Sequence, residues 1–181
     1  MPAHNLPGGR TALQPKHQHL VPDLLAANLR LVFCGTAPSK ASAAAKAYYA
    51  KPGNKFWPTL HDAGITPTRF QPHDYPQLLA LGIGLTDLCK VHSGVDADLP
   101  EDAFDVAAFR RKMLRHAPRV IAFTSKNAAQ NALGTPVDYG LQKLTLGRSQ
   151  LFVLPSPSGL ATRFFDPKVW RALARHVDGL P

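Results

Sequence analysis

Short apolar runs alternate with segments of helical period along most of this chain. Residues 29–34, 120–123 and 150–154 are nearly continuous apolar stretches, the pattern of strands covered on both faces. Residues 84–88 read as the end of a further strand, and residues 143–146 as a strand before 150–154. Between them, helices are predicted over 41–47, over 56–63 closed by Gly64, over 76–81 followed by Gly82, over 126–133 and over 167–176. In 104–116, Val106, Phe109, Met113 and Leu114 recur on one helical face, and Pro118 marks the stop. This alternation predicts an α/β fold, a three-layer sandwich with a mainly parallel central sheet flanked by helices.

In a parallel sheet the carboxyl ends of the strands open toward one face, so loops distant in sequence can line a common crevice. Two proline-rich turns fit that description. Gly35-Thr36-Ala37-Pro38-Ser39 follows one apolar run, and Pro155-Ser156-Pro157-Ser158-Gly159 follows another.

Length and composition narrow the picture. At 181 residues the chain suits one domain with a single sizeable core, placed at 21–181. Residues 1–20 are rich in Pro, Gly, Gln and His and lack periodicity, which reads as a flexible basic arm carrying Arg10 and Lys16. His17 and His19 form a His-x-His pair, but without further ligands no metal site is expected there. The 21 basic residues exceed the 12 acidic ones, giving a formal charge of +9 that favours polyanionic partners such as nucleic acid. Cys34 and Cys89, the chain's 2 cysteines, offer neither a disulfide framework nor the four thiolates of an iron–sulfur cluster. No signal-peptide core and no run of membrane-span length is visible, so a cytoplasmic location is expected.

The two turns, with Pro52-Gly53-Asn54-Lys55-Phe56-Trp57 and Gly84-Leu85-Thr86-Asp87-Leu88 between them, resemble the motifs of the uracil-DNA glycosylase superfamily in order and spacing. The resemblance is strongest to its mismatch-specific branch of uracil and thymine glycosylases and runs over residues 21–177. That branch reads Gly-Ile-Asn-Pro-Gly at the first turn and Asn-Pro-Ser-Gly-Leu at the second, the latter matching Ser156-Pro157-Ser158-Gly159-Leu160. One departure stands out. The family's asparagine, which positions the attacking water, falls on Ala37, whose methyl group neither donates nor accepts a hydrogen bond.

The resemblance implies a monofunctional enzyme that flips uracil out of duplex DNA, notably uracil opposite guanine, and hydrolyses its bond to the sugar without a cofactor. Thymine mismatches, modified pyrimidines and single-stranded DNA remain open as substrates, and a monomer is the simplest assembly. Asp87 is the candidate to replace the missing asparagine, with Thr36 and Ser39 as alternative holders of the water. Tyr49 takes the position of the ring that stacks on the flipped base, with Tyr48 beside it as the alternative; Gly35, Ala37, Ser42, Asn54 and Ser156 complete the expected base pocket. Gly159, Leu160 and Ala161 match the intercalating segment, Leu160 being the wedge, and Ser158, Arg163 and Lys168 are candidate phosphate contacts. Asp62, Asp74, Asp96 and Asp98 rank below Asp87 because they fall outside the motifs.

Two other readings compete. Ala37 is compatible with a catalytically weak or silent protein that binds damaged DNA. A nucleotide or phosphometabolite site is disfavoured, because neither Gly-x-Gly-x-x-Gly nor a Gly-x-x-x-x-Gly-Lys-Ser/Thr loop occurs.

Overall fold

The computed structural model describes residues 18–181. Most of the predicted basic arm, including His17, lies outside the described residues. Leu20 is tied to the domain through its N–H, which donates to the Lys90 carbonyl at 2.8 Å.

Five strands form one sheet: β1 (Leu31–Gly35), β2 (Ile83–Asp87), β3 (Val120–Phe123), β4 (Gly140–Leu146) and β5 (Ser149–Val153), in the spatial order β2-β1-β3-β5-β4. All neighbours run parallel except β4, which pairs antiparallel with β5 at the edge. The predicted helices are present as α1 (Lys40–Ala45), α2 (Phe56–Asp62), α3 (Val106–His116), α4 (Lys126–Leu133) and α5 (Pro167–Asp178). The apolar runs became central strands for a physical reason. Every residue of β1, β2 and β3 is buried, so neither face needs polar side chains.

Helices cover both faces, which makes the three layers. On one side α2 and α5 bury Phe56, Trp57, Leu60, Trp170 and Leu173 against Phe33, Leu85 and Phe152. On the other, α3 and α4 bury Phe109, Met113, Ala128 and Ala132 against Val32, Ile121 and Val153. Trp170 is central to the first layer. Its ring stacks on Phe33 at 6.0 Å, and its indole N–H donates to the Pro155 carbonyl at 3.2 Å, fastening the second proline-rich turn to the core. Truncating such a side chain to Ala costs about 3–5 kcal/mol.

Three differences from the sequence expectations have clear causes. β4 starts at Gly140 rather than 143, because an edge strand with exposed positions needs no apolar run. The third helix is a ten-residue 3-10 helix, Pro72–Leu81, whose internal Pro76 hides it from an α-helical pattern. Leu114, placed on the apolar face of α3, is in fact exposed, while Phe109 and Met113 carry the packing.

Candidate active site

Strand topology brings the motif residues to one edge of the sheet. Gly35 closes β1 and Asp87 closes β2, and the two are register partners; Thr124 follows β3, and the turn from Pro155 follows β5. Above these ends lies a cavity of about 360 Å³, lined by both proline-rich turns, by Tyr48, Tyr49 and Asn54, and by Asp87 at its base. That volume is in the range of small-molecule sites.

The two turns are held in place by neighbouring backbone. The Lys55 N–H donates to the Pro157 carbonyl at 2.8 Å, and a methyl group on Gly159 would sit 3.3 Å from the Gly53 carbonyl oxygen. Gly159 is therefore small because the loop at Gly53 presses against it. In the first turn, Ser39 caps α1 by accepting from the Ser42 N–H at 3.0 Å, and its hydroxyl donates to Ser42 Oγ at 3.1 Å. Ser42 Oγ also accepts from the Ala50 N–H. Ser39 and Ser42 line the cavity, yet their hydroxyls are engaged in shaping it.

Asp87 is the chemically distinctive group. Its residue is 4% exposed, and among the described residues its Oδ2 is the buried side-chain oxygen without a hydrogen-bond partner. A Cβ at position 35 would meet Asp87 Oδ1 at 2.6 Å, Tyr49 Oη at 3.3 Å and Thr124 Oγ1 at 3.5 Å. The three polar groups converge over Gly35, and only glycine leaves them room. Burial pushes the Asp87 carboxyl up to about 6; Lys90, Lys112 and a backbone hydrogen bond from Gly35 oppose that shift, and Asp23 adds to it.

The lysines belong to an ion cluster beneath the cavity. Lys90 Nζ lies 3.0 Å from Asp23 Oδ1 and Lys112 Nζ 2.7 Å from Asp23 Oδ2. Thr86, beside Asp87 in β2, donates to Asp23 at 2.7 Å. Lys90 also donates to Tyr48 Oη at 3.0 Å, and Tyr48 in turn donates to the Pro22 carbonyl at 2.9 Å. For Asp23 burial pushes the carboxyl up, but the two lysines and the hydrogen bonds outweigh it and hold the group below its usual range.

Tyr48 and Tyr49 both line the cavity, in different ways. Tyr48 is buried and anchored through its hydroxyl. Tyr49 adopts a left-handed backbone, φ 54°, stacks on Phe56 with ring centroids 3.8 Å apart, and shares a hydrogen bond with Thr124 Oγ1 at 3.2 Å. Non-glycine residues in that conformation are uncommon, and such a residue here is set by its packing. Asn54 accepts from the Phe56 N–H through Oδ1 at 2.9 Å, which caps the entry to α2.

Of the residues singled out from sequence, Gly35, Thr36, Ala37, Ser39, Ser42, Tyr49, Asn54, Asp87, Ser156, Ser158, Leu160 and Ala161 line this one cavity. Gly159, Arg163 and Lys168 lie outside its lining, on the 3-10 turn Gly159–Phe164 and at the start of α5. Thr124, Ser125 and Lys51 line it too and were not singled out for it, and so does Asp96, which the sequence ranked below Asp87 as lying outside the motifs. Thr124 and Ser125 had a signal, since they sit where a parallel strand gives way to a helix. Asp96 had none. It enters through tertiary hydrogen bonds, accepting from Thr36 Oγ1 at 2.6 Å and from the Asn127 side-chain amide. The Thr36 hydroxyl is thereby turned to Asp96.

A cavity of small-molecule size thus lies at the carboxyl edge of the parallel sheet, with the buried Asp87 carboxyl and the exposed Leu160 side chain both in its lining. Comparison with known proteins carries this further: the chain belongs to the uracil DNA glycosylase superfamily, whose sequence model matches residues 22–175. Among solved structures, it is similar to the solution NMR structure of a candidate uracil DNA glycosylase from Methanosarcina acetivorans, with a TM-score of 0.61 and 22% identity. That match covers 90% of this chain and 98% of the other, and at this identity it speaks to the fold.

Proposed function

We propose that this protein is a monofunctional DNA glycosylase that extrudes uracil, notably uracil opposite guanine, and hydrolyses its bond to the sugar. The observation that carries the reading is Asp87, a buried carboxylate with one unpartnered oxygen at the base of the cavity. It stands beside the turn in which Ala37 replaces the family's asparagine.

In the reaction the bond between C1′ and the base nitrogen breaks, and its electron pair leaves with the base. Positive charge then develops on the sugar. A carboxylate in a water-poor pocket stabilises that charge far better than one in bulk water. Asp87 Oδ2 accepts a hydrogen bond from water and takes its proton as the water oxygen bonds to C1′. A carboxyl raised to about 6 is ionised at neutral pH yet basic enough for this role. Tyr49 supplies the stacking surface, and the Asn54 amide with the hydroxyls of Thr124, Ser125 and Ser156 offers hydrogen bonds to the base edges. Stacking contributes on the order of 1–3 kcal/mol, which helps offset a few kcal/mol of unstacking. Leu160, 72% exposed at the rim, fills the space left in the duplex.

Single-turnover assays with labelled duplexes carrying U·G, U·A, T·G or a matched pair, followed by alkaline cleavage, test the proposal. Abasic sites from U·G in excess over the matched control are expected. Tight binding to the same duplexes without cleavage under enzyme excess would point instead to a damage-binding protein.

A further inference from the structure

The segment that carries Leu160 holds a second large apolar side chain in water. Phe164 is 64% exposed and, with Leu160, is one of the two most exposed large hydrophobic residues among the described residues. Both belong to the 3-10 turn Gly159–Phe164, which is interrupted at Ala161 with φ −110° and ψ 17°. Leu160 and Ala161 line the cavity, whereas Phe164 lies beyond its lining.

The turn is fixed from below. Lys55 Nζ donates to Thr162 Oγ1 at 2.8 Å, and Thr162 Oγ1 donates to the Gly159 carbonyl at 3.0 Å. Phe165 packs on Trp170, with ring centroids 6.4 Å apart. Thr162 and Phe165 thus hold the turn to the protein while Leu160 and Phe164 remain exposed. Phe164 is thus a large apolar side chain that packing within the protein leaves in water. The Arg163 guanidinium lies 5.7 Å from the Phe164 ring centroid, while Lys55 Nζ lies 5.3 Å from the ring of Phe165 and, with Arg171 and Asp62, lines a second hollow of about 330 Å³. An exposed ring with a guanidinium beside it suits a nucleic-acid base next to its phosphate.

We propose that Phe164 is a second insertion residue, which stacks on the unpaired base of the opposite strand while Leu160 occupies the place of the extruded nucleotide. The proposal rests on the base-flipping reading above. Its position outside the cavity lining is what assigns Phe164 to the opposite strand, because a residue that touched the flipped base would have to line the pocket. The stack would make recognition depend on the base opposite the lesion, a purine offering more surface than a pyrimidine.

The test uses the full chain and a duplex in which 2-aminopurine stands opposite a 2′-fluorinated deoxyuridine whose glycosidic bond resists cleavage, so the readout needs no turnover. In the wild-type complex the 2-aminopurine emission is expected to stay low. With Phe164→Ala it should rise, and with Phe164→Trp it should fall at least to the wild-type level. A companion assay measures excision from U·G and from uracil opposite an abasic analogue. Phe164→Ala should slow the first about tenfold and the second less than about twofold, given typical stacking contributions. Equal emission in wild type and Phe164→Ala would overturn the proposal, as would equal slowing on both duplexes. Loss of excision in every protein together with the predicted emission pattern would leave Phe164 supported and remove the glycosylase chemistry alone.

Discussion

The base of the cavity and its rim are built on opposite principles. At the base, Asp87, Lys90 and Tyr48 are buried and Asp23 half-buried; Lys90 is paired with Asp23 and Tyr48, whereas Asp87 Oδ2 has no hydrogen-bond partner. At the rim, Leu160 and Phe164 are apolar and exposed, on a short 3-10 turn held by Lys55 and Thr162. On the proposed function, the base sets a buried carboxyl group where charge would develop in the reaction. The rim leaves hydrophobic surface in water, where burial against a partner releases it. The proposed function thereby separates chemistry from recognition, and substitutions in the two regions should fail in different ways.

The largest effect is expected from Asp23→Ala, which leaves Lys90 and Lys112 without their shared anion. Breaking a buried ion pair from one side costs about 3–5 kcal/mol, so chemical denaturation should show a large loss of stability. An unchanged midpoint would mean the cluster relaxes into solvent. Next comes Asp87→Asn, with the opposite sign. The unfolded chain releases this proton near the ordinary value of 3.8, and the folded chain only near 6. The contribution favouring folding is thus complete below about pH 4 and lost as pH rises through about 6. At neutral pH the ionised group opposes folding by on the order of 3 kcal/mol, so Asp87→Asn should be more stable than wild type there and lose that advantage in acid. A variant less stable at pH 7 would contradict the burial argument.

Leu160→Ala should slow duplex excision about tenfold, judged by the roughly 1.5–3 kcal/mol available from burying a leucine. Its melting temperature should stay close to wild type, because the side chain is exposed in the free protein. Wild-type rates would place the wedge elsewhere on the rim. The smallest effect is expected from Thr36→Val, which removes the hydrogen bond to Asp96 at the cavity mouth and should change the rate by less than about tenfold. A loss equal to that of Asp87→Asn would make Thr36 a holder of the water alongside Asp87.

The parts of the molecule that showed in the sequence are those governed by local periodicity. β3 and α4 have the bounds expected from residues 120–123 and 126–133, because a covered parallel strand and a helix after a Ser cap are written into consecutive residues. The two proline-rich turns and Asp87 were legible as motif segments. Asp96 and the cluster of Asp23, Lys90 and Lys112 were not, since segments far apart in the chain meet there only after folding. Phe164 was equally hidden: nothing in the pair Phe164-Phe165 says that the first ring faces water and the second packs on Trp170.

The central claim is that Asp87 does the work of the asparagine absent at Ala37. The most direct test is the single-turnover excision rate on U·G duplexes across pH 4.5 to 8 for wild type and Asp87→Asn, with DNA affinity measured alongside. Wild-type rates are expected to rise with pH through about 6 to a plateau, as the carboxylate ionises. Asp87→Asn should be slower by about 10²-fold or more at the plateau, flat across that range, and nearly unchanged in affinity. A variant that excises uracil at the wild-type rate, with the same pH profile, would contradict the account.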